Sequence, residues 1–158
     1  MNSKKIAFII SSYAIWALLA VGSFFLMFSG RTALLAALAR YADSGFSQRM
    51  LVGTLDKAYM IGAGLLILGY CIGIERYVTI ARSWMDLGGR SLKALGIEAF
   101  ALFASTLTIQ LAARTFFASF VFAFTLLLPL IAAVASFVGG TVLRRKAIRR
   151  LKDDDELD

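Results

Sequence analysis

The longest charge-free run in the chain, residues 115–143, holds 29 residues without one Asp, Glu, Lys or Arg. As a helix it would measure about 43 Å against a hydrocarbon core of about 30 Å, so it can cross a bilayer with length to spare for tilting or kinking. Three more apolar stretches accompany it, at 6–28, 58–74 and 94–113, the last interrupted only by Glu98. The chain is 59% hydrophobic and 17% charged, whereas a soluble domain is roughly 45–50% apolar and about 25% charged. A water-soluble globule, a disordered chain and a secreted disulfide scaffold are thereby excluded.

The expected fold is an all-α membrane protein with four transmembrane helices in a bundle, over about 6–28, 55–76, 94–113 and 117–143. Residues 1–152 then form a single integral-membrane domain, and 153–158 an acidic, flexible tail. Ala20-Val21-Gly22 has the look of a small-residue cleavage site, but the apolar run continues through Phe28. The first span is therefore expected to be retained. Between the first two spans, 32–41 is rich in Ala and Leu, flanked by Arg31 and Arg40, and too short to span. A short interfacial helix is predicted there, ended by Ser44-Gly45. The second helix is predicted to protrude into the cytoplasm, because Tyr77, Ile80, Trp84 and Leu87 keep helical spacing, and to stop at Gly88-Gly89. Only Arg114 separates the third and fourth spans, which predicts a tight hairpin. The fourth helix should continue into the cytoplasm through 144–152.

Orientation follows from the basic residues flanking the spans. With four spans, both termini share a side with the 75–93 connection, and that side holds 12 of the 17 Lys and Arg residues. Both termini are therefore expected in the cytoplasm of a cell (inner) membrane. Residues 1–152 hold all 17 basic residues and five acids, a net charge of +12. Because the cations flank apolar spans and no nucleic-acid motif accompanies them, anionic headgroups on the cytoplasmic side are the expected partners, and nucleic acid is not.

Histidine is absent and Cys71 is the single cysteine. Ser-His and Cys-His nucleophile pairs, His-ligated haem and ordinary zinc sites are excluded, and no cofactor or metal is implied. Cys71, inside an apolar span, reads as a small buried hydrophobe.

Four features remain as candidate sites. Glu98 lies roughly 5–9 Å below the cytoplasmic interface, and an intramembrane acid is a functional hypothesis by default. It reads either as a proton- or cation-binding group or as half of an ion pair with Arg76, with Ser11 and Ser12 donating hydrogen bonds. Gly69 and Gly73 form GxxxG in the second span, and Ala132, Ser136 and Gly140 repeat small-residue spacing in the fourth. Such faces allow close helix packing within the chain or against a partner. Phe116, Phe117, Phe120, Phe122 and Phe124 crowd the start of the fourth span, where they face lipid or a lipophilic partner, and Pro129 kinks it. The cluster Arg144, Arg145, Lys146, Arg149 and Arg150 is suited to anionic lipid or to an acidic partner.

No catalytic constellation is present, so the chain is not expected to be an enzyme. The favoured expectation is a non-catalytic accessory or assembly subunit of a larger membrane complex. The alternative is a small homo-oligomeric transporter or channel using Glu98.

Overall fold

The computed structural model describes residues 3–39, 46–113 and 120–155, and all four elements among them are α-helices: α1 (Ser3–Ala39), α2 (Phe46–Thr79), α3 (Trp84–Ala113) and α4 (Phe120–Asp155). Each is long and apolar enough to cross a membrane, giving an integral multi-pass architecture. Burial runs opposite to that of a soluble domain. Leu18, Phe25, Leu66 and Ile131 point outward with 64–78% of their surface exposed, while Ser12, Ser23 and Gln110 are at most 5% exposed. Lipid solvates large apolar side chains but offers nothing to hydroxyls or amides, so the polar groups turn inward.

The helices pack around α3. It holds α4 along most of its length and α1 on another face, while α2 leans mainly on α1. No Cα of α2 comes within 8 Å of one in α4, and the same holds for α1 and α4, among the described residues. Leu19 of α1, Ile74 and Val78 of α2, and Leu87 and Ala94 of α3 form the core with Ala81. Phe8 meets Trp84 edge to face at 5.1 Å between ring centroids. Trp16 donates its indole N–H to the Cys71 carbonyl at 2.9 Å, tying α1 to α2.

Two boundaries differ from expectation. Residues 32–39 continue α1 without a break, so no separate interfacial helix appears there. The stretch is built from Ala and Leu, the strongest helix formers, and contains no Gly or Pro after Gly30. Residues 40, 41, 44 and 45 lie outside the described residues. The second helix ends at Thr79, nine residues before Gly88, and α3 begins at Trp84. Ser83 is the reason. Its hydroxyl accepts the Asp86 N–H at 3.2 Å, and the Asp86 carboxylate accepts the Arg82 N–H at 3.3 Å. This is a variant of the reciprocal N-terminal capping box, and it starts a new helix where the apolar spacing runs on unbroken. Gly88 and Gly89 therefore lie inside α3.

The α3–α4 seam is built on small residues seven positions apart. Gly89, Gly96, Ala133, Gly140 and Ala147 are all buried. A Cβ added to Gly89 would lie 2.9 Å from the Gly140 carbonyl oxygen, and one on Gly96 would lie 3.1 Å from that of Ala133. The pairs 89–140 and 96–133 are in antiparallel register. A seven-residue repeat keeps one stripe facing its neighbour along a supercoiled pair, and the absent side chains let the backbones touch. The seam thus runs through Ala133, Gly140 and Ala147; of the expected stripe it keeps Gly140, while Ala132 and Ser136 are only partly buried.

Candidate functional site

Glu98 of α3 meets α1 and α2 and borders a groove walled by α4. Its carboxylate lies against α1 at Gly22, where a Cβ would come within 2.6 Å of Oε2. Across from it, Tyr70 of α2 donates its hydroxyl proton to Oε1 at 3.2 Å. The same hydroxyl lies 3.5 Å from the Ala94 carbonyl. On the remaining side the carboxylate borders a groove of about 300 Å³, lined by Phe25, Leu26, Leu95, Leu102, Leu128 and Pro129. The glycine makes room, the tyrosine orients one oxygen, and the groove gives the other an apolar approach. Pro129 stands on the α4 wall of this groove, and its missing N–H leaves one helical carbonyl without its usual donor.

The expected ion pair with Arg76 does not form. Arg76 is exposed and makes no salt bridge with Glu98. Six residues separate Arg76 from Tyr70, the residue that does face Glu98; that offset is about 9 Å of rise and a third of a turn of rotation. Ser11 and Ser12 also lie elsewhere. Ser12 is buried and donates to the Phe8 carbonyl at 2.9 Å within its own helix. Both serines are about 15 Å along α1 from Gly22. Glu98 thus has a neutral donor and no cation within ion-pair distance among the described residues. Such a group can hold a proton, or attract a cation that enters through the groove. No cluster of three or more His, Cys, Asp or Glu able to hold a metal occurs among the described residues.

Ion pairs form elsewhere. Arg31 grips Asp56 with two hydrogen bonds of 2.7 Å, joining α1 to α2. Close by, Tyr59 donates to the Met27 carbonyl at 3.1 Å, its hydroxyl occupying the space that a side chain at Gly30 would need. At the opposite end, Asp86 is shared between Arg90 at 3.0 Å and Arg144 at 3.8 Å. Arg144 therefore belongs in part to an α3–α4 contact, whereas Arg145, Lys146, Arg149 and Arg150 are exposed.

Gly69 and Gly73 are exposed, and a Cβ on either would meet nothing within 4 Å. The GxxxG face is unused inside the chain, in contrast to the seam at Gly140. Cys71 is partly buried, with its thiol 3.6 Å from the Ser23 hydroxyl. Phe116 and Phe117 lie outside the described residues; Phe120, Phe122 and Phe124 fall on α4.

No family model, curated protein or solved structure matches this chain. Its function is argued from the site alone.

Proposed function

We propose that this chain is a non-catalytic assembly subunit of a larger membrane protein complex, inserted in a cell's inner membrane with both termini in the cytoplasm. The observation that carries the reading is the open glycine face of α2. Gly62, Gly69 and Gly73 fall within about 40° of one another on the helix, and none has a neighbour within 4 Å of a built Cβ. A glycine costs a helix about 1 kcal/mol relative to alanine, and close approach of another backbone is the usual return. The buried glycines of α3 and α4, Gly89, Gly96 and Gly140, each have such an approach; these three do not. A helix of another subunit is the partner that completes the pattern. Extraction in mild detergent tests it. Stoichiometric membrane companions are expected with the wild type and should be lost in Gly69→Leu, with the monomer still folded. Companions retained by that variant would sink the proposal.

A second reading rests on a different observation. Glu98 has no counter-ion among the described residues, a tyrosine donor and an apolar approach, an arrangement suited to a proton- or cation-binding acid in a small homo-oligomeric transporter or channel. Proton flux into liposomes that is abolished in Glu98→Gln, with the fold retained, favours that reading over the first.

A further inference from the structure

The absence of α2–α4 contact among the described residues leaves a cleft between these helices on α3. One groove of about 400 Å³ runs between α2, α3 and α4, with Tyr70, Gly73 and Tyr77 on one wall and Lys93, Ile97 and Phe137 opposite. A second, of about 390 Å³, adjoins it between α3 and α4, sharing Ile97 and Phe137. The floor of both is almost wholly apolar. A single helical turn, about 10 Å wide and 5.4 Å long, would fill roughly 400 Å³ alone, so each groove suits something thinner than a helix. An extended peptide would bury amide groups with nothing to satisfy them. An acyl chain has no such groups.

The mouth of the cleft is positively charged. Lys93 immediately precedes the charge-free stretch 94–97, makes no ion pair among the described residues, and rests its ammonium 5.6 Å from the Phe137 ring centroid. Arg90 lies over the Tyr77 ring at 5.1 Å and donates to the Tyr77 carbonyl at 2.8 Å. Arg90 and Arg144 share one carboxylate, Asp86. Three cations therefore face one anion, and the buried Arg144 Nε has no hydrogen-bond acceptor. Lys93 lines the first groove and Arg90 stacks on its Tyr77, so the local surplus of positive charge adjoins the apolar surface.

We infer that this cleft binds one anionic phospholipid, its phosphate held by Lys93 and Arg144 and its two acyl chains lying on either side of the Ile97–Phe137 ridge. The headgroup supplies the counter-charge that Lys93 lacks, and the tails cover apolar surface that no helix reaches among the described residues. The charges and the Ile97–Phe137 ridge stand on α3 and α4, while Tyr70, Gly73 and Tyr77 of α2 wall the first groove, so a partner helix seated at Gly73 would border the lipid.

The test is thermal unfolding of the full chain in detergent, titrated with dioleoyl phosphatidylglycerol or with dioleoyl phosphatidylcholine. The anionic lipid should raise the melting temperature at concentrations where the zwitterionic one does not. Lys93→Gln should weaken that response about fivefold, the factor for one basic residue at a membrane surface, while Lys57→Gln, exposed and toward the other end of α2 from Tyr77, should leave it unchanged. Ile97→Trp, which fills both grooves and keeps every charge, should remove it. Equal stabilisation by the two lipids, equal losses in Lys93→Gln and Lys57→Gln, or a full response in Ile97→Trp would each overturn the assignment.

Discussion

The hydroxyl of Tyr70, not the guanidinium of Arg76, is the group that meets the Glu98 carboxylate, at 3.2 Å across the α2–α3 interface. A neutral donor leaves the charge state of Glu98 free to change without stranding a buried cation. The energetic consequences differ sharply from those of an ion pair, where removing one member costs about 3–5 kcal/mol.

Double-mutant cycles separate the two partners. The cycle of Tyr70→Phe with Glu98→Gln should show a coupling of about 1 kcal/mol, the usual net worth of one hydrogen bond. The cycle of Arg76→Gln with Glu98→Gln should show less than about 0.5 kcal/mol, as for residues that share no contact. Reversible unfolding in mixed micelles measures both, and a large Arg76 coupling would contradict the arrangement of α2 against α3.

Glycines on the two kinds of helix face should respond in opposite directions. Gly140→Ala forces a methyl group to 2.6 Å from the Gly89 carbonyl oxygen, so α3 and α4 must separate, at a cost of about 1–3 kcal/mol typical of overpacking. Gly69→Ala meets nothing within 4 Å and should leave the isolated chain as stable or up to about 1 kcal/mol more stable, through helix propensity alone. The same unfolding assay checks this, and a destabilised Gly69→Ala monomer would place a neighbour against that face.

Ser83→Ala tests the break between α2 and α3. It removes the acceptor for the Asp86 N–H and should cost about 1 kcal/mol, the usual value of an N-cap. Hydrogen exchange should show the loss first in the opening turn of α3. Unchanged protection there would mean that packing of Ala81 and Leu87, rather than the cap, starts the helix.

Orientation is open to labelling in a Cys71→Ala background. A cysteine at the exposed position 49 should react with a membrane-impermeant maleimide added to intact cells, and one at the exposed position 150 should react only after permeabilisation. The reverse pattern would invert the topology that the basic residues predict.

What the sequence determined by itself is the set of four long apolar helices, because lipid solvation acts on each side chain separately and its sum along the chain needs no knowledge of neighbours. That Glu98 is an unusual residue was legible for the same reason. Its partners were not. Arg76 and Tyr70 both lie toward the same end of α2, and the position of that helix along and about its axis against α3, about 1.5 Å and 100° per residue, selects the tyrosine. The seam of α4 shows the same sensitivity: from Gly140, a stripe through Ala132 and Ser136 reads as well as one through Ala133 and Ala147 until the contact of Ala133 with Gly96 fixes the rotation. The break at 80–83 hid because Tyr77, Ile80, Trp84 and Leu87 keep helical spacing through it, although Ser83 and Asp86 carried the capping signal. Tertiary structure alone left α2 apart from α4, since each found its closest packing on a different helix, and that separation produced both the open glycine face and the cationic cleft.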